Sequence, residues 1–372
     1  MALGARDLSL LTLPTGWDGT ELQNVQLRDG TTYGEVASMV NGALAAFNAE
    51  INGDPFFSSL VSYTDEPAFE YAVGTSNGFE RHTEYGRPDG KRSETTGHML
   101  PMAEYDRRLQ WTWDYLRKAR MPQIEADIAD AIKDARDLFR VRVLTRTLKR
   151  GDDSGALLGL GSGGLSPGFA TTAVSTGVDF TPPAFGGTSF ASTHEHYVGI
   201  TGAAHTLALF QDARDELEEH GHVPPFTYIA GPTEETAIRG LTGFVTAADP
   251  MVRYGALQDV ALRPQVYGAN GSKYIGTLEN FDIWIVRGMP QYYGFAYKSY
   301  GSLSQRNPLR VRLMEGVSQF MVEGIPDPLA GNANYPLQNL MLYTEFGVGV
   351  GDRTNGTARY TNSATWSDGT PT

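Results

Sequence analysis

Residues 122–150 constrain this chain more than any other stretch, because they read as one unbroken helix. Pro122 stands in the first turn, where its missing N–H has no intrahelical role, and Gly151 follows the last turn. Between them Ile124, Ile128, Ile132, Ala135, Phe139 and Leu148 recur near helical spacing. Glu125, Asp127, Asp130 and Asp134 occupy the first half; Arg136, Arg140, Arg142, Arg146, Lys149 and Arg150 occupy the second, the order that complements a helix dipole. At about 1.5 Å per residue the helix is about 43 Å long. The core of a compact domain rarely needs that length, so a spine crossing the whole subunit is expected.

The rest of the chain is long enough to surround such a spine. Its 372 residues bury a full core, and 43 glycines and 20 prolines predict many turns and long connections. A net charge of −13 excludes a protein whose main task is gripping nucleic acid, since that affinity comes from cations displacing counterions around phosphates. Without cysteine there are no disulfides, thiolate metal sites or cysteine nucleophiles. The apolar run 8–13 is too short for a secretory core, and the run 200–210 is cut by His205, so neither a signal peptide nor a membrane span is expected. Charge is uneven: residues 81–150 hold 16 Lys/Arg against 11 Asp/Glu, a balance of +5, while the remainder holds 14 against 32, a balance of −18. In a self-associating subunit this lets the basic segment of one copy lie on an acidic surface of the next.

Around the spine the pattern is α+β. Thr32 and Glu35 form a capping box for a first helix over 33–51, with Val36, Val40, Leu44, Phe47 and Ile51 on one face. Phe69, Tyr71 and Val73 alternate, as do Leu109, Trp111 and Trp113, predicting a long hairpin. Its tip, 85–97, turns at Pro88-Asp89-Gly90 and has almost nothing to bury. A Gly/Ser/Thr-rich connection covers 151–187, after which Ser192 and Glu195 predict a second long helix ending near His220-Gly221. Strands are expected over 226–230, 281–286, 309–313, 318–322 and 340–346, with a short helix over 233–240. Asn355-Gly356 reads as a hairpin turn joining 348–350 to 358–360. The sequons at Asn270 and Asn355 are read as turns, and no repeat of constant period is present.

Each motif that spells chemistry fails on context. Gly159, Gly161 and Gly164 match the dinucleotide pattern, but a helix precedes them where a strand should. Ser166 sits in a nucleophile-elbow spelling, yet Pro167 has no N–H to give an oxyanion hole. His194, Glu195 and His196 with His205 offer metal-ligand types, but Val198 stands where a zinc-protease helix needs its second histidine, so they are read as surface histidines on a capped helix. Tyr292, Tyr293, Phe295, Tyr297 and Tyr300 have only Lys298 among them, which favours core or subunit contact over base stacking. No catalytic, cofactor-binding or metal site is assigned, and a structural subunit is expected instead of an enzyme.

The order of elements resembles the major capsid protein of tailed bacteriophages, the Hong Kong 97-type fold. Phe69 to Trp113 is similar to that family's extended loop, Pro122 to Arg150 to its spine helix, and the stretch from Pro308 through Arg312 with Glu345 to Arg353 to its return into the peripheral domain. The resemblance implies an N-terminal arm and first helix over 1–62, an extended loop over 63–116, a peripheral domain over 117–189 and 305–362, an inserted axial domain over 190–304, and a C-terminal tail over 363–372. It further implies self-assembly into hexamers and pentamers of an icosahedral shell enclosing double-stranded DNA without sequence-specific binding, with portal and decoration proteins as partners. About 30 residues precede the first helix, so the scaffold is expected to be a separate protein. The implied location is the virion, after assembly in the host cytoplasm, with no membrane involved. Arg87, Lys91, Arg92 and Asn355 are the candidate assembly contacts. Lys91 and Asn355 also lie where some relatives cross-link, but that reaction needs a carboxylate base in a dry pocket, and the sequence identifies none. An encapsulin-like compartment is the alternative with the same fold.

Overall fold

The computed structural model describes residues 27–73, 94–152, 166–171, 181–183, 185–186, 188–247, 266–268, 271–326 and 337–372. The capping box forms as its spacing predicts. Glu35 accepts from the Thr32 N–H at 2.7 Å, Thr32 Oγ1 accepts from the Glu35 N–H at 3.3 Å, and helix α1 (Tyr33–Asn52) follows. All five predicted apolar positions of α1 are buried, each a burial that stabilises by roughly 1.5–3 kcal/mol. Asp54 then caps α2 (Pro55–Leu60) by accepting from the Phe56 and Phe57 N–H groups, and the chain passes directly into β1 (Val61–Thr64).

The predicted hairpin has a different return strand. β2 (Ala68–Val73) pairs antiparallel with β3 (Glu94–Met99), setting Phe69 opposite His98. The later alternating run is β4 (Ala103–Thr112), which leaves the ribbon and joins another sheet. Its indole at Trp111 donates to Asp127 at 2.9 Å on the long helix, an anchor that ties β4 to the body. Trp113 is already the first residue of α3 (Trp113–Lys118), started by the Thr112 side chain.

The long helix α4 (Met121–Leu148) has 28 residues, about 42 Å. Its first N–H groups are satisfied by Asp29, which accepts from Met121 at 2.7 Å, and by Gln123, which accepts from Arg120 at 2.9 Å. Ile124, Ile128, Ala131, Phe139, Val143, Leu144 and Leu148 are buried; Phe139 meets Phe57, Phe320 and Phe346. The helix stops before Lys149 and Arg150. Two of the arginines that read as dipole partners are instead inside: Arg146 donates to the Ser166 and Gly151 carbonyls at 2.8 and 3.0 Å, and Arg140 donates to Thr372 O at 3.2 Å.

The second half continues as β5 (Tyr197–Gly199), α5 (Leu207–Glu219), β6 (Phe226–Ala230), α6 (Glu235–Arg239), β7 (Val245–Thr246), β8 (Lys273–Leu278), β9 (Phe281–Ile285), β10 (Tyr293–Tyr297), β11 (Leu309–Leu313), β12 (Glu323–Pro326), β13 (Leu337–Val350) and β14 (Thr357–Tyr360). Two main sheets result. In one, the long β13 is paired with β4, β12 and β11, and β1 lies beside β11. The other has the order β5-β14-β10-β6-β9-β8-β7. α4 and α1 pack with the first sheet in one apolar cluster; Leu209, Phe210, Ala213 and Leu217 of α5 pack on the second sheet in another. Three of the five residues of the aromatic row are core, with Tyr293, Phe295 and Tyr297 buried in β10, while Tyr292 and Tyr300 are half-buried.

Three local expectations fail for identifiable reasons. Residues 318–322 are not a strand, because their backbone is held by helix α1: Asn48 accepts from the Val322 N–H and donates to its carbonyl, and Asn52 donates to Phe320 O at 2.8 Å. Asn355-Gly356 does not close a hairpin, since β13 and β14 lie in different sheets and the turn carries the chain from one to the other. The predicted helix from Ser192 begins only at Leu207, capped by Thr206, and Glu195 pairs with Arg150 at 2.9 Å instead of capping. Among the described residues no helix is long and apolar enough to cross a membrane.

Candidate functional site

The ribbon β2–β3 is a two-stranded sheet of its own, and isolated two-stranded ribbons are marginal in water. Its base is therefore fastened to the body by polar links. His98 is buried and donates from Nε2 to Val350 O at 2.7 Å, the Ser166 N–H donates to Met99 O at 2.9 Å, and Arg312 donates to Leu100 O at 3.0 Å. The guanidinium of Arg310 lies 4.9 Å from the centre of the Phe69 ring. Burial pushes the His98 imidazole down to about 4, and the nearby Arg353 and Arg146 guanidinium groups push the same way against the pull of the Val350 carbonyl. The ribbon thus leaves the body from a fixed, hydrogen-bonded root in which the His98 imidazole is neutral. Ser166, at φ 46°, belongs to that root: its hydroxyl accepts from the Val350 N–H at 3.3 Å, a structural task for the elbow-like spelling.

Arg87, Lys91 and Arg92 fall in 74–93, outside the described residues. Gly159, Gly161 and Gly164 fall in 153–165, also outside the described residues. Asn355 is described, and it is fully buried. Its Oδ1 accepts from the Lys298 N–H at 2.7 Å while Nδ2 donates to the Lys298 and Arg306 carbonyls at 2.8 and 3.1 Å. Asn355 is an internal bracket between two loops of the chain; a turn residue and a buried bracket share the same spelling.

The histidines depart furthest from expectation. His205 is buried and contacts Glu234 at 3.1 Å, where hydrogen bonding from the imidazole holds the Glu234 carboxyl below its ordinary range. His194 and His196 converge instead with His220, a residue the sequence did not connect to them. Their Nε2 atoms stand 3.0, 3.0 and 2.9 Å apart. His196 Nδ1 donates to Gly356 O at 2.7 Å, and the Phe190 ring covers His194 and His220 at 4.9 and 4.3 Å. Burial first, and then the neighbouring imidazoles, push His196 and His220 well below the ordinary histidine range. Gly356 fits this corner because a side chain there would strike Phe169 and Phe295.

No protein-family model matches the chain, and no curated protein matches it by sequence. Among solved structures, a chain from Mycobacterium phage Patience is similar at a TM-score of 0.60 and 22% identity, covering 92% of this chain and 92% of that one. This chain shares that phage chain's fold. The mature capsid of bacteriophage PhiM1 follows at a TM-score of 0.47 and 14% identity over 83% of this chain and 87% of that chain. The SrpI encapsulin complex of Synechococcus elongatus has a TM-score of 0.46 and 10% identity over 84% and 88%.

Proposed function

We propose that the chain is a major capsid protein whose copies associate as hexamers and pentamers into an icosahedral shell around double-stranded DNA. The observation that carries this reading is the fold shared with the phage chain over 92% of both chains. On this reading α4 is the spine of a peripheral domain (117–189 with 305–362), the seven-stranded sheet apart from β14 is the body of an axial domain (190–304), and 63–116 is an extended loop whose strand β4 pairs back onto β13. The fixed root of the ribbon favours a loop aimed away from its own subunit, where Arg87, Lys91 and Arg92 would meet the acidic surface of the next copy. Most of the assembly energy would come from large apolar interfaces. A portal, a separate scaffolding protein and a decoration protein are the partners such a shell would use, with the virion as its location after assembly in the host cytoplasm.

The test is a loop replacement. Val73 and Glu94 are the last paired residues of the ribbon among the described residues, so an Asn-Gly turn in place of 74–93 closes β2 on β3 without disturbing the root. Sedimentation should show a folded subunit that no longer forms shells; wild-type shells from this variant would remove the proposed role of the loop. Nuclease-protected DNA in particles from the native source distinguishes a genome container from an encapsulin-like compartment, which would hold protein cargo.

A further inference from the structure

Three imidazole nitrogens face one another here in an arrangement that protons alone do not satisfy. An imidazole nitrogen either donates or accepts, never both. His196 commits its Nδ1–H to the Gly356 carbonyl, so its neutral ring presents a lone pair at Nε2. His194 and His220 Nε2 lie 3.0 and 2.9 Å from that lone pair and 3.0 Å from each other. In a closed triangle of such atoms, every placement of protons leaves at least one pair meeting donor to donor or acceptor to acceptor. A single cation accepting all three lone pairs resolves the conflict.

We propose that His194, His196 and His220 bind one divalent transition-metal ion of the zinc class, with Glu219 beside the fourth position. Nitrogens at zinc's usual bond length of about 2.0–2.1 Å would place the ion about 1.1 Å out of the plane of this triangle; a regular tetrahedron needs the nitrogens about 3.4 Å apart, a spread of roughly 0.4 Å from those observed. Glu219 Oε1 stands 3.3 Å from His194 Nε2 and 3.8 Å from His220 Nε2, on the exposed side. The surroundings suit a cation. The carbonyl of Gly356 fixes the His196 ring through its other nitrogen, as outer-shell partners of metal-bound histidines do. His220 is the C-cap of α5, where the helix dipole favours positive charge. Imidazole with carboxylate is a ligand set that suits zinc and its first-row neighbours and not calcium or magnesium.

The ion would clip three separate pieces of chain: the segment entering β5, the end of α5 and, through His196, the turn at Gly356 that links the two sheets. Its task is structural, since the ligands are tied to fixed elements and His196 and the His220 side chain are almost fully covered. This proposal is independent of the shell reading and concerns the subunit itself.

The experiment uses the full chain without a histidine tag, stripped with a chelator and titrated with cobalt(II) and then zinc chloride. Visible cobalt absorption of a low-coordinate site is expected to saturate at about one equivalent per chain, zinc to displace it, and zinc to raise the melting midpoint by several degrees. His194→Gln changes the most exposed ligand and keeps the fold, checked by circular dichroism; it should lose the absorption and the zinc-dependent shift. Glu219→Gln should retain the stoichiometry with affinity weaker by about tenfold. A stripped wild-type chain that gives no cobalt spectrum and no zinc shift overturns the proposal, as does a His194→Gln chain that binds like wild type.

Discussion

The two main sheets of this chain are held by different means. Around α4 and the five-stranded sheet, stability comes from apolar faces: Phe139 against Phe57, Phe320 and Phe346, and the buried stripe of α1. Around the seven-stranded sheet an apolar core exists beneath α5, but the loops that bound it are fixed by buried polar brackets. Asn355 holds Lys298 and Arg306, and Glu234 accepts from the Tyr292 N–H, while fully buried Arg359 of β14 meets Glu216 of α5 at 2.5 Å. Apolar faces tolerate sliding and repacking, whereas a satisfied polar bracket fixes one register and is costly when half removed. The sheet with few covering helices therefore gains its definition from hydrogen bonds made by loops.

That contrast predicts a graded set of effects. The largest should follow Phe139→Ala, which removes the ring at the centre of the aromatic cluster and should cost about 3–5 kcal/mol in urea unfolding; a loss below about 1 kcal/mol would mean that the α4 core is not what holds this half. Next is acid. His98 is neutral in the folded chain down to about pH 4, whereas an unfolded histidine takes up its proton near 6.5. Its contribution is complete above pH 6.5 and is lost as pH falls from 6.5 to 4, by up to roughly 3 kcal/mol. His98→Gln should lower stability at pH 7 yet show a flatter decline toward pH 4 than wild type; equal slopes for the two proteins would remove the assignment.

Asn355→Ala tests the brackets. Three backbone groups of Lys298 and Arg306 lose their partner, for an expected cost of about 1–3 kcal/mol with the apolar cores untouched. If instead hydrogen exchange at Lys298 is unchanged in that variant, the bracket is redundant. The smallest effect belongs to Thr32→Ala, where loss of the exposed cap of α1 should cost about 1 kcal/mol, read as a shift in the urea midpoint at constant slope.

How far each half was legible in the sequence follows from the same difference. Periodicity and caps are local, so α1 and α4 were readable to within two residues at either end. The ribbon was readable as extended chain, but its partner was not: Leu109 and Trp111 alternate as well as Thr96 and His98 pair, and only the packing of β4 on β13 decides between them. Polar brackets join residues far apart and carry no period. His220 meets His194 and His196 only because α5 returns across the sheet, and no spacing announces it. One signal was present and outweighed. Gly199 and Gly202 interrupt the helix expected from Ser192, and Gly199 is needed because a Cβ there would lie 2.6 Å from Ser363 O. Reading 194–199 as extended would have set His194 and His196 on one side of a strand, the arrangement the structure has in outline.

The shell reading is tested most directly by negative-stain microscopy of the purified full-length protein, expressed alone and together with the proteins encoded beside it. Closed shells or tubes built of regular hexamers are the predicted result. Monomers alone in both preparations, from protein shown to be folded, would contradict it.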